Sequence, residues 1–396
     1  MTEDTWIREA IDVEEAAELT ARLVAIRSYP GEEGAVQRTI AAWLTEHGLD
    51  PEFQATEGDR PNVLAWVRNG DGPTFLLNGH VDTVLAVEGW SRDPWQGWRD
   101  GDRLYGLGAC DMKSGVVAAM LATRALARNR DRWRGTVLFT SVVDEEAYSI
   151  GARALVEMGI QADGCVVTES SDLNVVIGCI GKVLVRGEVT GKAAHASWPE
   201  RGINAAVEAA KFVARLDDVP LGQHPRLIAS QAVLSFQSGN AQYVITVPEH
   251  ARFTINRHTI PGETDESVLV GMRDLARSLR SPATFAFAID PPYYPPWEMA
   301  PEHPFVRTVQ RAFVAETGDE PITRDNRGLA DANYFAADLG IPTVMFGATG
   351  ANFHEADEWV GHPQHRRLHP HPHSYRARRA AINRLKRWRA SACRLC

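Results

Sequence analysis

A chain of 396 residues is long enough for two domains, and 44% apolar with 23% charged residues is the balance of an ordinary folded protein, not a disordered or fibrous one. Its 42 Lys and Arg against 51 Asp and Glu give a net charge of −9, which excludes a generally basic nucleic-acid binder and argues against wholesale membrane association. The charge is uneven: residues 361–396 hold ten Lys or Arg, five His and no Asp or Glu, so every acidic side chain precedes a basic tail.

In chain order, the first residues lack the basic and apolar regions of a secretory signal, and no apolar run nears the roughly 18 residues of a membrane span. Residues 14–26 and 32–47 have helical apolar spacing, the second stopped by Gly48. Strand-like runs follow at 62–67, 74–77, 136–143 and 165–168, with an Ala-rich buried helix at 113–128. Strands alternating with helices predict an α/β sheet covered on both faces. From about residue 180 the pattern changes: strands at 183–189, 227–236, 252–257 and 284–289 enclose helices at 204–216 and 263–279. That is an α+β unit the size of one small domain. Pro291-Pro292-Tyr-Tyr-Pro295-Pro296 then reads as a stiff hinge, after which helices 303–317 and 329–339 and strand 342–346 resume the α/β style. The expected organisation is a discontinuous domain, 1–180 with 294–396, and an inserted domain, 181–293. The five cysteines (Cys110, Cys165, Cys179, Cys393, Cys396) are too few and odd in number for a disulfide framework, and the Cys393/Cys396 pair stands alone. A cytoplasmic enzyme of bacterial type is expected.

Chemistry gathers at strand ends, where open α/β sheets place their sites. The strand at 74–77 runs into His80-Val-Asp82, whose two side chains share one side of an extended backbone, so Asp82 can hold the second ring nitrogen of His80. Alone, His-x-Asp also suits a packing histidine. Asp111 follows Gly106-Leu-Gly108-Ala-Cys110 at a helix start, where an N-cap is the plain alternative, and the glycine spacing fits no phosphate loop. Asp144-Glu145-Glu146 ends a buried strand with three mutually repelling carboxylates, a repulsion that a cation resolves. Glu169 repeats the pattern, and Phe353-His354-Glu-Ala-Asp-Glu358 follows the last strand. Imidazoles with carboxylates and no thiolate suit Zn²⁺, Co²⁺ or Mn²⁺, and a carboxylate shared by two ions makes a two-metal hydrolytic site.

These motifs, with Gly191-Lys-Ala-Ala-His195-Ala-Ser197 and Asn256-Arg257, resemble the co-catalytic zinc amidohydrolases and exopeptidases that include acetylornithine deacetylase, succinyl-diaminopimelate desuccinylase, aminoacylase and glutamate carboxypeptidase. The resemblance covers roughly residues 10–360. It implies a mixed-sheet zinc-exopeptidase-like α/β catalytic domain with an inserted α+β, ferredoxin-like dimerisation domain. It implies two Zn²⁺, with Co²⁺ or Mn²⁺ able to substitute. His80 and Glu169 would bind one ion, Glu146 and His354 the other, with Asp111 between them and Asp82 orienting His80. Glu145 would be the general base acting on a metal-bridging water, and a cis peptide bond would join Asp111 and Met112. His195 would reach into the partner's site of a homodimer, while Arg257 and Asn256 would bind the substrate's carboxylate. The implied substrate is an N-acyl amino acid or short peptide, with no nucleic acid or membrane partner. The deacylase reading leads, a metallo-dipeptidase or carboxypeptidase follows, and a non-catalytic metal-dependent binding protein is the alternative of another class.

Three departures stand out. Ile245-Thr-Val-Pro248 occupies the place of the family's Asn-x-x-Pro, and Gly347-Ala-Thr-Gly350 that of Gly-Pro-Gly. Both lie in specificity regions. Past Gly361 the sequence does not resemble the family's closing amphipathic helix. Reading the codons one base later can turn Gly361-His-Pro-Gln-His365 into Asp-Ile-Pro-Ser-Ile, which resembles the family's continuation, so a shifted frame is expected there. The alternative is a basic arm with Ile382, Leu385 and Trp388 on one stripe.

Overall fold

The computed structural model describes residues 5–239, 242 and 244–361. The expectations for the basic tail, its reading frame and the Cys393/Cys396 pair fall on 362–396, outside the described residues.

The strands that matter for the site are β1 (Pro51–Gln54), β2 (Asn62–Asn69), β3 (Thr74–His80), β4 (Gly135–Val142), β5 (Gly164–Val167) and β6 (Val175–Cys179), then β7 (Gly181–Thr190), β8 (Ser230–Ser238), β9 (His250–Thr259), β10 (Thr284–Tyr294), β11 (Trp297–Glu298), β12 (Thr323–Asn326) and β13 (Thr343–Met345). Among the described residues the large sheet has nine strands in the order β1-β2-β4-β3-β5-β13-β6-β11, with β12 also paired to β6. Its centre is parallel (β4 with β3, β3 with β5, β5 with β13), while β1 and β2 run antiparallel at one side. This is a mixed sheet. Helices α1 (Val13–Val24), α2 (Gly34–Glu46) and α3 (Ser114–Arg128) pack Leu23, Ile40, Leu44, Val116 and Met120 against Val63, Val67, Val137 and Phe139. A second cluster joins Leu76, Leu138 and Val167 to α4 (Ile150–Met158) and to Tyr334 and Phe335. With both faces covered, the central strands are apolar throughout and the polar chemistry is left to their ends.

The small sheet is antiparallel throughout, in the order β8-β9-β7-β10. Two helices, α5 (Ala205–Val213) and α6 (Asp265–Ser278), cover one face through Phe212, Met272 and Leu275 against Val185, Phe253 and Ile255. Each helix is capped from its own sequence: Asn204 accepts from the Val207 amide, and Thr264 with Ser267 forms a reciprocal capping box. The fold class is therefore the expected one, a mixed-sheet α/β body carrying an α+β unit.

Two local expectations are corrected. Pro291-Pro292 is part of a strand: β10 continues through it to Tyr294, with a cis Pro291–Pro292 bond and a register shift between Asp290 and Tyr294. Because β10 is an edge strand, the missing proline amides leave no central ladder bond unmade. Strand β6 and helix α4 lie where the sequence pattern assigned no element, the strand being only five residues long.

Candidate active site

The parallel pairing of β3 with β4 sets His80 opposite Val142, so the His80-Val81-Asp82 segment and the Asp144-Glu145-Glu146 loop emerge side by side. Glu169 leaves the next strand, β5, two residues past its end. Asp111 lies in the kinked turn Ala109–Lys113 that leads into α3, with non-helical backbone angles (φ −116°, ψ 92°), and its bond to Met112 is cis. His354 comes from the loop between strands Thr349–Ala351 and Trp359–Gly361. His354 and Asp144 both take left-handed backbone conformations (φ 64° and 69°), which non-glycine residues adopt mainly where surrounding structure imposes them.

Asp111 presents its two oxygens to two different partners. Oδ1 lies 3.5 Å from His80 Nε2, which is also 3.5 Å from Glu169 Oε1. Oδ2 lies 3.3 Å from His354 Nε2, itself 3.1 Å from Glu146 Oε1. Glu145 Oε2 stands slightly apart, 3.9 Å from His80 Nε2.

Two carboxylates hold the cluster from behind. Asp82 accepts the Glu145 amide on Oδ1 (3.1 Å) and the Glu146 amide on Oδ2 (2.8 Å), and its Oδ1 lies 3.3 Å from His80 Nδ1. It thus fixes an imidazole and the adjoining acidic loop together. Glu358, 1% exposed, accepts the amides of Gly108 (2.8 Å), Cys110 (2.8 Å) and Asp111 (3.0 Å), tying the His354 loop to the Asp111 turn. Below that turn, the fully buried Lys113 ammonium donates to the carbonyls of Leu23 and Ile26 at the end of α1. Arg60 braces the acidic loop from outside, paired with both Glu33 and Asp144.

Charge explains what the arrangement can hold. Burial pushes Glu169 up to about 7, with Asp111 adding repulsion, and burial likewise raises Glu145 and Glu146. Burial acts on Asp111 in the same sense, but contact with His354 and His80 holds it well below the usual carboxylate range. His354 rises to about 10 beside Asp111 and Glu146; His80 also rises, since Asp111 and Asp82 outweigh the burial that opposes its charge. Behind the cluster, burial lifts Asp331 to about 8. So many carboxylates in one buried place call for positive charge beyond two imidazoles.

A divalent ion fits the residues present. His80 Nε2 is buried without a hydrogen-bond partner, and ligand atoms of His80, Asp111 and Glu146 all lie within 4.8 Å of one another. The spacings of 3.1–3.5 Å are close to the edge of a coordination tetrahedron with bonds of about 2.0–2.1 Å, roughly 3.4 Å. Among the described residues no thiol competes: Cys110 Sγ is hydrogen-bonded to Ser170 Oγ, and burial raises its pKa far from thiolate formation.

The cluster floors a cleft of about 610 Å³ lined by Asp111, Glu145, Glu146, Glu169 and His354, and further out by Lys182, His258, Tyr294, Arg324 and Arg327. Arg257 is not among the lining residues. Along β9 burial alternates, so Arg257 falls on the helix-covered face with Ile255, while Asn256 and His258 fall on the other. Arg257 is 2% exposed, its guanidinium spent on Glu263, the Gln231 side chain and the Pro220 carbonyl. The structure thus does not bring Arg257 to the metal-binding cluster, and its Nε is buried without a hydrogen-bond partner. Asn256 Nδ2 meets His258 Nε2 at 3.3 Å, but it is His258 that lines the cleft. His195 lies elsewhere, exposed, in a two-residue strand paired with Thr246–Val247 and against the Trp198 ring. The pocket role of Lys182 and His258 was not visible in sequence, because it depends on the phase of strand pairing. Glu358 stood in the quoted motif, but only the folded chain shows the three amides it accepts.

A mixed α/β sheet with this acidic, imidazole-bearing cluster at its strand ends defines a metal-dependent hydrolase of amide bonds. The chain belongs to the peptidase family M20/M25/M40, whose model matches residues 76–368. Among curated relatives, the succinyl-diaminopimelate desuccinylase of Paracoccus denitrificans is 29% identical over 371 residues, covering 90% of this chain and 96% of that protein. One from Cereibacter sphaeroides is 30% identical over 361 residues, 86% of this chain and 93% of that one. Among solved structures, aminopeptidase PepT of Bacillus cereus superposes with a TM-score of 0.74 at 22% identity, covering 89% and 94% of the two chains. The YXEP protein of Bacillus subtilis, described as a dinuclear metal binding peptidase, gives 0.68 at 18% identity over 88% and 92%. The resemblance drawn from sequence motifs is thereby borne out at the level of family and fold.

Proposed function

We propose that this enzyme is a deacylase that hydrolyses the amide bond of N-acyl amino acids at a dinuclear Zn²⁺ centre, where Co²⁺ or Mn²⁺ can substitute. The observation that carries this reading is Asp111, whose two oxygens face two separate imidazole–carboxylate pairs. His80 and Glu169 would hold one ion, Glu146 and His354 the other, with Asp111 shared. When bound, the ions polarise the scissile carbonyl and acidify the attacking water. Glu145, held by Asp82 through its amide and outside both pairs, takes the proton from that water and passes it to the leaving amine nitrogen as the C–N bond breaks. The curated relatives, named as desuccinylases, support the deacylase reading over a dipeptidase or carboxypeptidase.

The unit 181–293 is the dimerisation and lid domain of this reading, inserted between 1–180 and 294–396. Its edge strand β8 exposes Leu234 and Phe236, an apolar margin suited to a second copy, and His195 is exposed where a partner's cleft could receive it. Cys110, Cys165 and Cys179 are free and buried, in keeping with a reducing cytoplasmic setting. Among the described residues no helix is long and apolar enough to cross a membrane.

The test is a substrate panel. Protein stripped of metal by chelation and reloaded with zinc is assayed on N-acetyl and N-succinyl amino acids against dipeptides. Higher kcat/KM on the N-acyl set, lost on chelation and regained with metal, is expected. Preference for dipeptides makes it a peptidase; two bound ions with no turnover of either set overturns the hydrolase reading.

A further inference from the structure

The chain crosses between the two sheets twice, from β6 to β7 at Ile180–Gly181 and from β10 to β11 at Tyr294–Pro295. Both crossings are fastened to the short helix Ala332–Ala337 of the large body. The fully buried Asn333 donates from Nδ2 to the carbonyls of Ile180 (2.9 Å) and Pro295 (2.8 Å), while its Oδ1 accepts the Ala330 amide (3.1 Å). The Tyr334 hydroxyl donates to the Tyr293 carbonyl at 2.9 Å. At Gly181 the strands come so close that a Cβ would strike Thr259 Oγ1 and the Tyr294 carbonyl. A junction packed this tightly transmits the seating of the small unit to whatever its last strand touches.

That strand touches the backbone of Glu145. Tyr294 ends β10, is 4% exposed, and sets its ring against Tyr334 with centroids 5.2 Å apart. Its hydroxyl lies 2.9 Å from Ser149 Oγ and 3.4 Å from the Glu145 carbonyl oxygen, and Ser149 Oγ lies 3.5 Å from that same oxygen. Two hydroxyls bonded to each other have one proton left over, and whichever of them carries it can reach the carbonyl. Burial, with the charge of Glu145 adding to it, pushes the Tyr294 phenol far above its ordinary range, so it stays a donor. The other side of the same residue is fixed from the large sheet, where Asp82 Oδ1 accepts the Glu145 amide. Neither contact uses the Glu145 carboxylate.

We propose that Tyr294 is a positioning residue for Glu145, holding the carbonyl side of its backbone to the small sheet as Asp82 holds the amide side to the large one. The general base is strung between the two units, and the seating of one on the other decides where its carboxylate stands. This rests on the reading of Glu145 as the base. A base displaced by a fraction of an ångström loses rate without losing substrate, so the effect falls on kcat and spares KM.

The test is Tyr294→Phe in the zinc-loaded full chain, which removes the hydroxyl and keeps the ring. On the best substrate of the panel above, kcat should fall about three- to tenfold, the range for one hydrogen bond, with KM and zinc stoichiometry nearly unchanged. In Glu145→Asp, whose carboxylate already stands one methylene back, the same substitution should cost about twofold or less, whereas a bond that acts apart from Glu145 costs the same in both backgrounds. In the metal-free protein, amide hydrogen exchange over residues 144–149 should quicken severalfold in Tyr294→Phe while α3 is unchanged, a readout that needs no turnover. An unchanged kcat, a loss carried by KM, equal losses in the two backgrounds, or unaltered exchange each overturns the proposal. Glu145→Gln separates these failures from that of the function. Full turnover in that variant removes the base reading and the proposal together; its collapse beside an unaffected Tyr294→Phe removes the proposal alone.

Discussion

The two sheets solve the same problem, where to put polar side chains, in opposite ways. In the large sheet β3, β4 and β5 are buried on both faces, so functional groups are pushed to the strand ends, and His80, Glu145, Glu146 and Glu169 converge there. In the small sheet one face lies on helices and the other is open, so function is sorted by alternation along the strand, as at Arg257 and His258 of β9. Chemistry at a strand end survives an error of one residue in placing the strand. On an alternating strand the same error exchanges core and cleft.

The sharpest way to test the first half of that contrast is Glu145→Gln. Turnover should fall about a hundred- to ten-thousandfold with zinc stoichiometry unchanged, because the amide keeps the shape but cannot take a proton. Loss of metal together with activity would instead make Glu145 a ligand. For the second half, Arg257→Ala should cost about 1–3 kcal/mol in urea unfolding, because it removes the buried partner of a Glu263 side chain that is 15% exposed. His258→Ala should raise KM while leaving the unfolding midpoint nearly in place. The reverse pattern would return Arg257 to the substrate.

Smaller effects refine the picture of the strand ends. Asp82→Asn presents an amide nitrogen where one backbone amide now donates, so zinc affinity and kcat/KM should drop about ten- to a hundredfold, measured by metal titration beside kinetics. Asp331 should reveal itself through pH. Its folded carboxyl titrates at about 8 through burial, far above an unfolded aspartate, so between pH 5 and 7 the folded chain keeps a proton that the unfolded chain has lost. Stability of the metal-free protein should therefore fall with rising pH across that window. Asp331→Asn removes this term, and its stability relative to wild type should grow by about 1.4 kcal/mol per pH unit. A constant difference would show that Asp331 ionises normally.

How much of this was legible in sequence follows from the same contrast. His80, Asp82, Asp111, Glu145, Glu146, Glu169 and His354 stand in motifs that flank apolar runs, and the folded chain brings all seven together. What stayed hidden was phase. Nothing in Asn256-Arg257-His258 says which side chain turns inward until β9 is set in register with β7 and β8. Pro291-Pro292 misled for a related reason: proline forbids a central strand, but whether a strand is central is a property of the sheet. Asp331 and Arg60 carried no motif at all; one sits after an apolar pair and the other in a polar loop, and only contact with the site marks them.

The hydrogen bonds from Glu358 have a consequence for how the molecule comes into being. They close across as many as 250 residues of chain, joining the turn that holds Asp111 to the loop that holds His354. A ribosome delivers the amino-terminal half of this centre long before the half that completes it, and non-local closures of this kind are slow to form. The acidic groups at the ends of β4 and β5 must therefore wait, with only His80 and Arg60 beside them, for the end of the body to arrive. A nascent or truncated chain lacking residues 354–358 would hold the sheet without its centre, so hydrolytic power is conferred late in synthesis.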